Sequence, residues 1–391
     1  MWVPEYNGTY AWLAAHNEDP VKRIANLNFD MVGENIMKTN SVLSLNYTSN
    51  SNPSFLNAVI ESIVDFVNRY NSERYPAQMD LYIGSVRGSR NRLNCRMIPY
   101  TTGTDHELFN NLKIGATTLN AWPDDFYHSS EDTPDKVDPT QLHRAVVIGL
   151  AGIATLAYAD NDQAGNVALL SLIYGRKRIA GSEFSSVKSL LAASKDRFEK
   201  ADNLASNLIT NIYQRELAAI GSTSILAKTP NAQNEVKKVV SMLKIDEAAS
   251  RRKVEKATVL RASELGISRV KPSLTEAEQR VSRLIPAPNK GKELNNLNYV
   301  IRILASDPTA GIQEITTAMD NITKSLRDQG TDELTLYGIR DFPAFYANGK
   351  RSILDIRNAF AAEYISVSVE VLELYFRAFE KAGVMQIVEK Q

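Results

Sequence analysis

A single cysteine, Cys95, occurs in 391 residues. That excludes an internal disulfide, and no Cys/His cluster reads as a structural zinc site. Neither sign of charge is in excess, with 45 Lys and Arg against 45 Asp and Glu, so nothing global recruits nucleic acid or a membrane surface. The longest apolar run, "AVVIGLAGIATLAYA" at 145–159, falls short of the roughly 20 residues that span a bilayer and is expected to be a buried core helix. The opening "MWVPEYNGTY" has neither the basic n-region nor the apolar h-region of a signal peptide. Internal repeats and low-complexity tracts are lacking as well, which excludes solenoid architectures.

What is present is a globular composition, 43% hydrophobic and 8% aromatic, in a chain long enough for two or three domains. Charge is unevenly spread: residues 1–160 carry twelve basic against eighteen acidic side chains, and residues 171–260 sixteen against nine. In "RIANLNFDMVGEN" Ala25, Leu27, Phe29 and Met31 alternate with more polar residues, the period of a strand that Gly33 ends. "SVLSLNYTS" alternates through Leu43, Leu45 and Tyr47, and "SFLNAVIESIVDFVNRY" follows at helical spacing. "MDLYIG", "LNCRMIPY" and "GATTLNAW" are further expected strands, and a helix over 139–158 closes the segment. Strands interleaved with helices predict an α/β sheet covered on both faces. From 161 to about 284 strand signals vanish and apolar residues recur at helical spacing, as at Phe198, Leu204, Leu208 and Ile212. "IPAPNKGKE" at 285–293 reads as a linker. After it, a turn at Asn348 and Gly349 precedes a helix with Ile353, Ile356 and Phe360 on one side, then a helix with Val369, Leu372, Phe376 and Phe379 ending at Gly383, then a short strand. The expected domains are 1–160, 161–290 and 291–391.

Asp30 and His128 fall where an α/β sheet places its chemistry, on loops leaving the carboxyl ends of strands. Carboxylate and neutral imidazole together suit zinc, although an Asp at a strand end also serves as a cap and a loop His is also simply solvated. "NLNFDMVGEN", "TTGTDHELF" and "FYHSSEDTPDKVD" occur in that order with α/β segments between them. Together they resemble the second half of the co-catalytic zinc peptidases, the family of bacterial leucyl aminopeptidases and glutamate carboxypeptidases. The resemblance implies an α/β/α sandwich with a mixed sheet, two zinc ions, a peptide substrate, and hydrolysis at a free amino terminus by a metal-activated water. It makes Asp30 a ligand of one zinc and His128 a ligand of the other. "VPEYNGTYAWL" resembles the family's Glu-Glu element with one acid only: Glu5 is carried over as a ligand, and the general base stays open between Glu5 and another group.

By the same resemblance Asp105 and His106 stand beside the pocket, Asp132 accepts the other ring proton of His128, and Tyr100 and Trp122 line the substrate pocket. Asp105 equally reads as a helix cap and Asp132 as the start of a turn, while buried aromatics are commonly core. The family's upstream His-x-Asp and bridging Asp have no counterpart here, since His16, His106 and His143 are not followed by x-Asp. The expectation is that these ligands lie upstream and that the chain alone is inactive. The last sixty residues resemble a winged-helix-like module, but seven basic against nine acidic residues at 332–391 disfavour nucleic acid. Packing or homo-oligomerisation through the C-terminal helical region is expected instead. An interaction protein derived from the peptidase fold, binding a partner through its helical half, is the alternative reading.

Overall fold

The computed structural model describes residues 5–16, 23–73, 82–268, 274–292, 296–331 and 333–390. Two compact units form, Met1–Gly175 with Ala218–Val240, and Arg176–Leu217 with Ser241–Gln391.

The first unit contains α1 (Asn7–Ala15), β1 (Ala25–Asp30), α2 (Ile36–Thr39), β2 (Leu43–Asn46), α3 (Leu56–Glu73), β3 (Arg96–Ile98), α4 (His106–Asn111), β4 (Gly115–Ala121) and α5 (Pro139–Tyr158). The sheet runs β1-β4-β2-β3 and is mixed: β4 is parallel to β1 and antiparallel to β2, and β2 is parallel to β3. Because side chains alternate across a strand, register sorts the sheet into two chemically different faces. Leu27, Phe29, Leu43, Leu45 and Leu119 share one face. Asn26, Asn28, Asp30, Ser44, Asn46, Thr118 and Asn120 share the other. On the apolar face α5 approaches closely enough that a Cβ at Gly149 would stand 3.1 Å from the Phe29 ring, and one at Gly152 would stand 2.7 Å from Ile60 of α3 and 2.8 Å from Leu27. Part of the polar face is hydrogen-bonded within the protein. Asn28 donates to Thr104 Oγ1 (2.7 Å) and Thr118 Oγ1 (3.1 Å), and Asn110 of α4 donates to the Ala116 carbonyl at 2.8 Å. A mixed α/β sheet followed by a mostly helical remainder is therefore the architecture.

Two expectations for this unit need correction. Of "MDLYIG", residues 79–81 lie outside the described residues and Tyr82, Ile83 and Gly84 form no strand. Side chains of α5 take their carbonyls instead, Arg144 Nε bonding Ile83 O at 3.2 Å and His143 Nδ1 lying 2.9 Å from Gly84 O. The apolar run at 145–159 is not a wholly buried helix either. Ala145, Ile148, Gly149 and Gly152 face the sheet, whereas Val146, Leu150 and Ile153 are exposed. By length and composition α5 is also apolar enough to cross a membrane.

The long helices α6 (Asn161–Ala192), α7 (Phe198–Ser222) and α8 (Pro230–Glu264) contribute residues to both units. The second unit continues with α9 (Glu276–Val281), β5 (Leu284–Pro288), α10 (Leu297–Ile303), α11 (Ile312–Asp328), α12 (Glu333–Gly338), α13 (Phe342–Phe345), α14 (Ile353–Glu363), α15 (Val369–Lys381) and β6 (Met385–Glu389). Of the expected linker at 285–293, residue 293 lies outside the described residues, and residues 285–288 belong to strand β5, paired antiparallel with β6. Its prolines are tolerated because a two-stranded ribbon leaves each strand an unpaired edge. Helix α15 buries Val369, Leu372, Tyr375, Phe376 and Phe379, as its spacing predicts. Ser352 starts α14 with a capping box, its hydroxyl accepting from the Asp355 amide and Asp355 accepting from the Ser352 amide. Glu216 is buried between Arg178 and Arg215, each 2.8 Å away. Burial pushes its carboxyl up, but Arg215 and Arg178 overcome this and carry it down to about 2.

Candidate functional site

Parallel neighbours present their carboxyl ends on the same side of a sheet, so the loops that follow β1 and β4 leave together. Asp30 is the last residue of β1, and His128 lies in the loop that follows β4. The two loops are tied by backbone bonds, Asn35 N to Lys136 O at 2.7 Å and Asp138 N to Gly33 O at 2.8 Å. Asp138 then caps α5, its carboxylate accepting from Thr140 N and Ser89 N. The loop is also braced by rings: Trp122 meets Tyr127 edge-on at 5.0 Å, and Tyr127 stacks on the exposed His128 at 3.7 Å.

A third segment reaches the same place. The Tyr6 amide donates to Asp105 Oδ1 at 3.0 Å and the Tyr6 hydroxyl to Glu107 Oε2 at 3.2 Å, which sets the turn containing Glu5 beside the start of α4. Asp105 makes no side-chain cap bond to α4; its carboxylate is turned toward the N-terminal segment instead. Several of the expected site residues act on one another electrostatically. Burial and the charges of Asp30 and Asp105 push the Glu5 carboxyl up. Burial and Asp105 likewise push Asp30 up, opposed by the Met31 amide and by His128. Glu5 thus feels the charges of Asp30 and Asp105, and Asp30 those of Asp105 and His128.

Backbone conformation marks the same place. Tyr6 (φ 57°), Met31 (φ 52°) and His128 (φ 56°) are three of the six non-glycine residues described in the left-handed region. Each such residue costs about 1–2 kcal/mol, and strain of this kind collects where a site dictates side-chain direction.

Not every expected residue joins the cluster. His106 is fully buried, its Nδ1 2.7 Å from Thr104 Oγ1 and its ring edge-on to the equally buried Tyr100 at 5.5 Å. Thr104 Oγ1 also accepts from Asn28, so this hydroxyl links the Asn28 amide of strand β1 to the His106 ring. Burial drives His106 down to about 4, beyond what the carbonyls of Thr101 and Thr104 restore. His106 and Tyr100 therefore pack beneath the site. Asp132 is exposed, and among the described residues no hydrogen bond joins it to the His128 ring. Its charge acts on Glu34, whose carboxyl is pushed up to about 7 by burial, Asp124 and Asp132. The sequence reading missed Glu34. Its only sequence signal is a place four residues after Asp30, in the loop leaving the same strand.

Carboxylates crowded beside an imidazole are the donor types of zinc. Among the described residues, however, no three His, Cys, Asp or Glu side chains converge closely enough to hold an ion. The described residues therefore do not by themselves fit a complete zinc shell, and metal affinity follows ligand count.

The model of peptidase family M28 matches residues 7–151. That stretch runs from the start of α1 into α5 and contains Asp30, Tyr100, Asp105, His106, His128 and Asp132, with Glu5 just outside it. The match supports a relationship to metallopeptidases, hydrolases that are generally zinc-dependent in this family. No curated protein and no solved structure matches the chain.

Proposed function

We propose that the first unit is a metal-dependent peptidase scaffold of the aminopeptidase type, acting on peptides with a free amino terminus, and that Glu5, Asp30 and His128 are its contribution to a shell for two zinc ions. The observation that supports this most is the pairing of the loop after β1, which begins at Asp30, with the loop after β4, which holds His128, through Asn35 N to Lys136 O and Asp138 N to Gly33 O, within the segment that matches the peptidase family. Crowded carboxylates with raised affinity for a proton also favour a cation, because any positive charge among them relieves their mutual repulsion. In this reading Asp105 orients the N-terminal turn through the Tyr6 amide, and the backbone strain at Met31 and His128 aims the two donors.

The absence of a three-donor group among the described residues favours a second reading, an interaction protein built on the peptidase fold. Its partner surface would be the helical C-terminal half, whose winged-helix-like end is suited to packing or self-association rather than to nucleic acid.

Zinc content and aminoacyl-anilide hydrolysis of the purified chain separate the two. Stoichiometric zinc that His128→Ala and Asp30→Asn each reduce, with turnover lost in both, is the outcome expected for the peptidase. Zinc-free, inactive protein after incubation with excess zinc favours the interaction reading.

A further inference from the structure

Four residues form one lateral row across the sheet, at the end where the site loops leave. Asp30 of β1 is opposite Asn120 of β4, Asn120 is opposite Ser44 of β2, and Ser44 is opposite Arg96 of β3. Register neighbours point to the same face, so Arg96 shares the polar face with Asp30. Its side chain leans inward along the row, Nε donating to Ser44 Oγ at 3.0 Å. Ser44 and Asn120 are buried, whereas Asp30 is half-exposed and Arg96 exposed; the two ends of the row are therefore what a solute meets. Those ends carry opposite charge. Residues 82–104 contain four arginines and no acidic residue, and among the described residues no carboxylate pairs with the Arg96 guanidinium. With Nε engaged by Ser44, the two terminal nitrogens are left to grip a carboxylate side by side.

We propose that Arg96 is a specificity-determining residue that receives a substrate carboxylate lying a fixed distance from the free amino end. The inference rests on the peptide reading of the site given above, in which the amino end is held near Asp30. Three strand spacings of about 4.8 Å separate Asp30 from Arg96, about 14 Å in all, and the inward lean of the arginine shortens the gap. An extended peptide advances about 3.4 Å per residue, so the carboxylate belongs to the third or fourth residue. It comes either from the carboxyl terminus of a short peptide or from an acidic side chain in a longer one. A peptide with both ends free is positive at the amino end and negative at the other, and the row presents the opposite polarity. Edge strands also use charged side chains simply to deter pairing. In that role Arg96 would act through its charge alone and would not discriminate among peptides.

The test is titration calorimetry of the full chain, with and without added zinc, against leucyltriglycine, its carboxamide, and leucylglycylglutamylglycinamide. The expected result is that a carboxylate peptide binds about tenfold or more tighter than the carboxamide. A preference for leucyltriglycine identifies a terminal carboxylate as the source, and one for the glutamyl peptide a side chain. Arg96→Ala is expected to abolish the preference, and Arg96→Glu to transfer it to leucylglycyllysylglycinamide, which a purely structural role would not do. Because Arg96 is exposed, both variants keep the far-UV CD of the parent. Equal binding of the carboxamide overturns the proposal, as does a preference that survives in Arg96→Ala, and as does binding of none of the peptides. Zinc content and turnover are read separately. Carboxylate-selective binding by a zinc-free, inactive chain retires the peptidase reading alone, whereas turnover that Arg96→Ala leaves unselective and unchanged retires this inference alone.

Discussion

His106 couples the stability of the first unit to pH in a direction that can be worked out. In the unfolded chain its imidazole takes up a proton near 6.5, whereas in the fold it does so only at about 4. Between those values protons bind preferentially to the unfolded chain, so its contribution is fully present above 6.5 and is lost as pH falls toward 4. Integrating over that window, lowering the pH from 7.5 to 4.5 removes about 2.5 kcal/mol. Other groups titrate too, and Glu5, Asp30 and Glu34, whose carboxyls are raised, act in the opposite sense. The clean observable is therefore the difference between the wild type and His106→Phe, which keeps an aromatic ring in the site but cannot titrate. All three tryptophans, Trp2, Trp12 and Trp122, belong to the first unit, so urea unfolding followed by tryptophan fluorescence reports on this unit. The stability gap between the two proteins is expected to shift by about 2.5 kcal/mol in favour of the variant on going from pH 7.5 to 4.5. Parallel loss of stability in both proteins would refute a neutral, buried His106.

Two further predictions concern the second unit, which lacks tryptophan and is followed by far-UV CD. Glu216→Gln leaves two guanidinium groups facing a neutral amide in a buried setting and is expected to cost about 3–5 kcal/mol, seen as a lower urea midpoint. The wild-type carboxyl, held at about 2 against an ordinary 4.5, stabilises fully above 4.5, so this unit is expected to weaken as pH falls from 4.5 toward 2 while the variant shows a flatter profile. Ser352→Ala removes one half of the capping box of α14 and is expected to cost about 1 kcal/mol by the same readout, with Ser352→Asp largely restoring it.

Much of the fold was legible in the sequence because its periodicities are clean. Strands β1 and β2 follow the period of two, and α3, α14 and α15 follow the helical one, with the expected apolar positions of α15 buried. The failures have specific causes. Proline and glycine at 285–293 signal a chain break, yet a strand in a two-stranded ribbon tolerates the same residues because half of its backbone groups need no ladder partner. "LYIG" has the composition of a strand, but its carbonyls are claimed by Arg144 and His143, a tertiary event with no local signature. The run at 145–159 is apolar around most of its circumference, so composition could not tell which side faces the sheet. At the site, residue types alone could not relate Asp30 to His128; the expectation that they share a site rests on the order of three motifs. Glu34 escaped notice because its raised carboxyl depends on burial and on Asp124 and Asp132, ninety and more positions away.

The placement of β4 in the sheet has a consequence for how the protein is made. It is the fourth strand in sequence, yet it lies between the first and second. A ribosome releasing this chain therefore exposes β1 without its described neighbour until residues 115–121 have cleared the exit tunnel. For that interval the backbone groups of β1 that β4 later takes up have no partner in that strand, so the β1–β4 ladder closes late in synthesis.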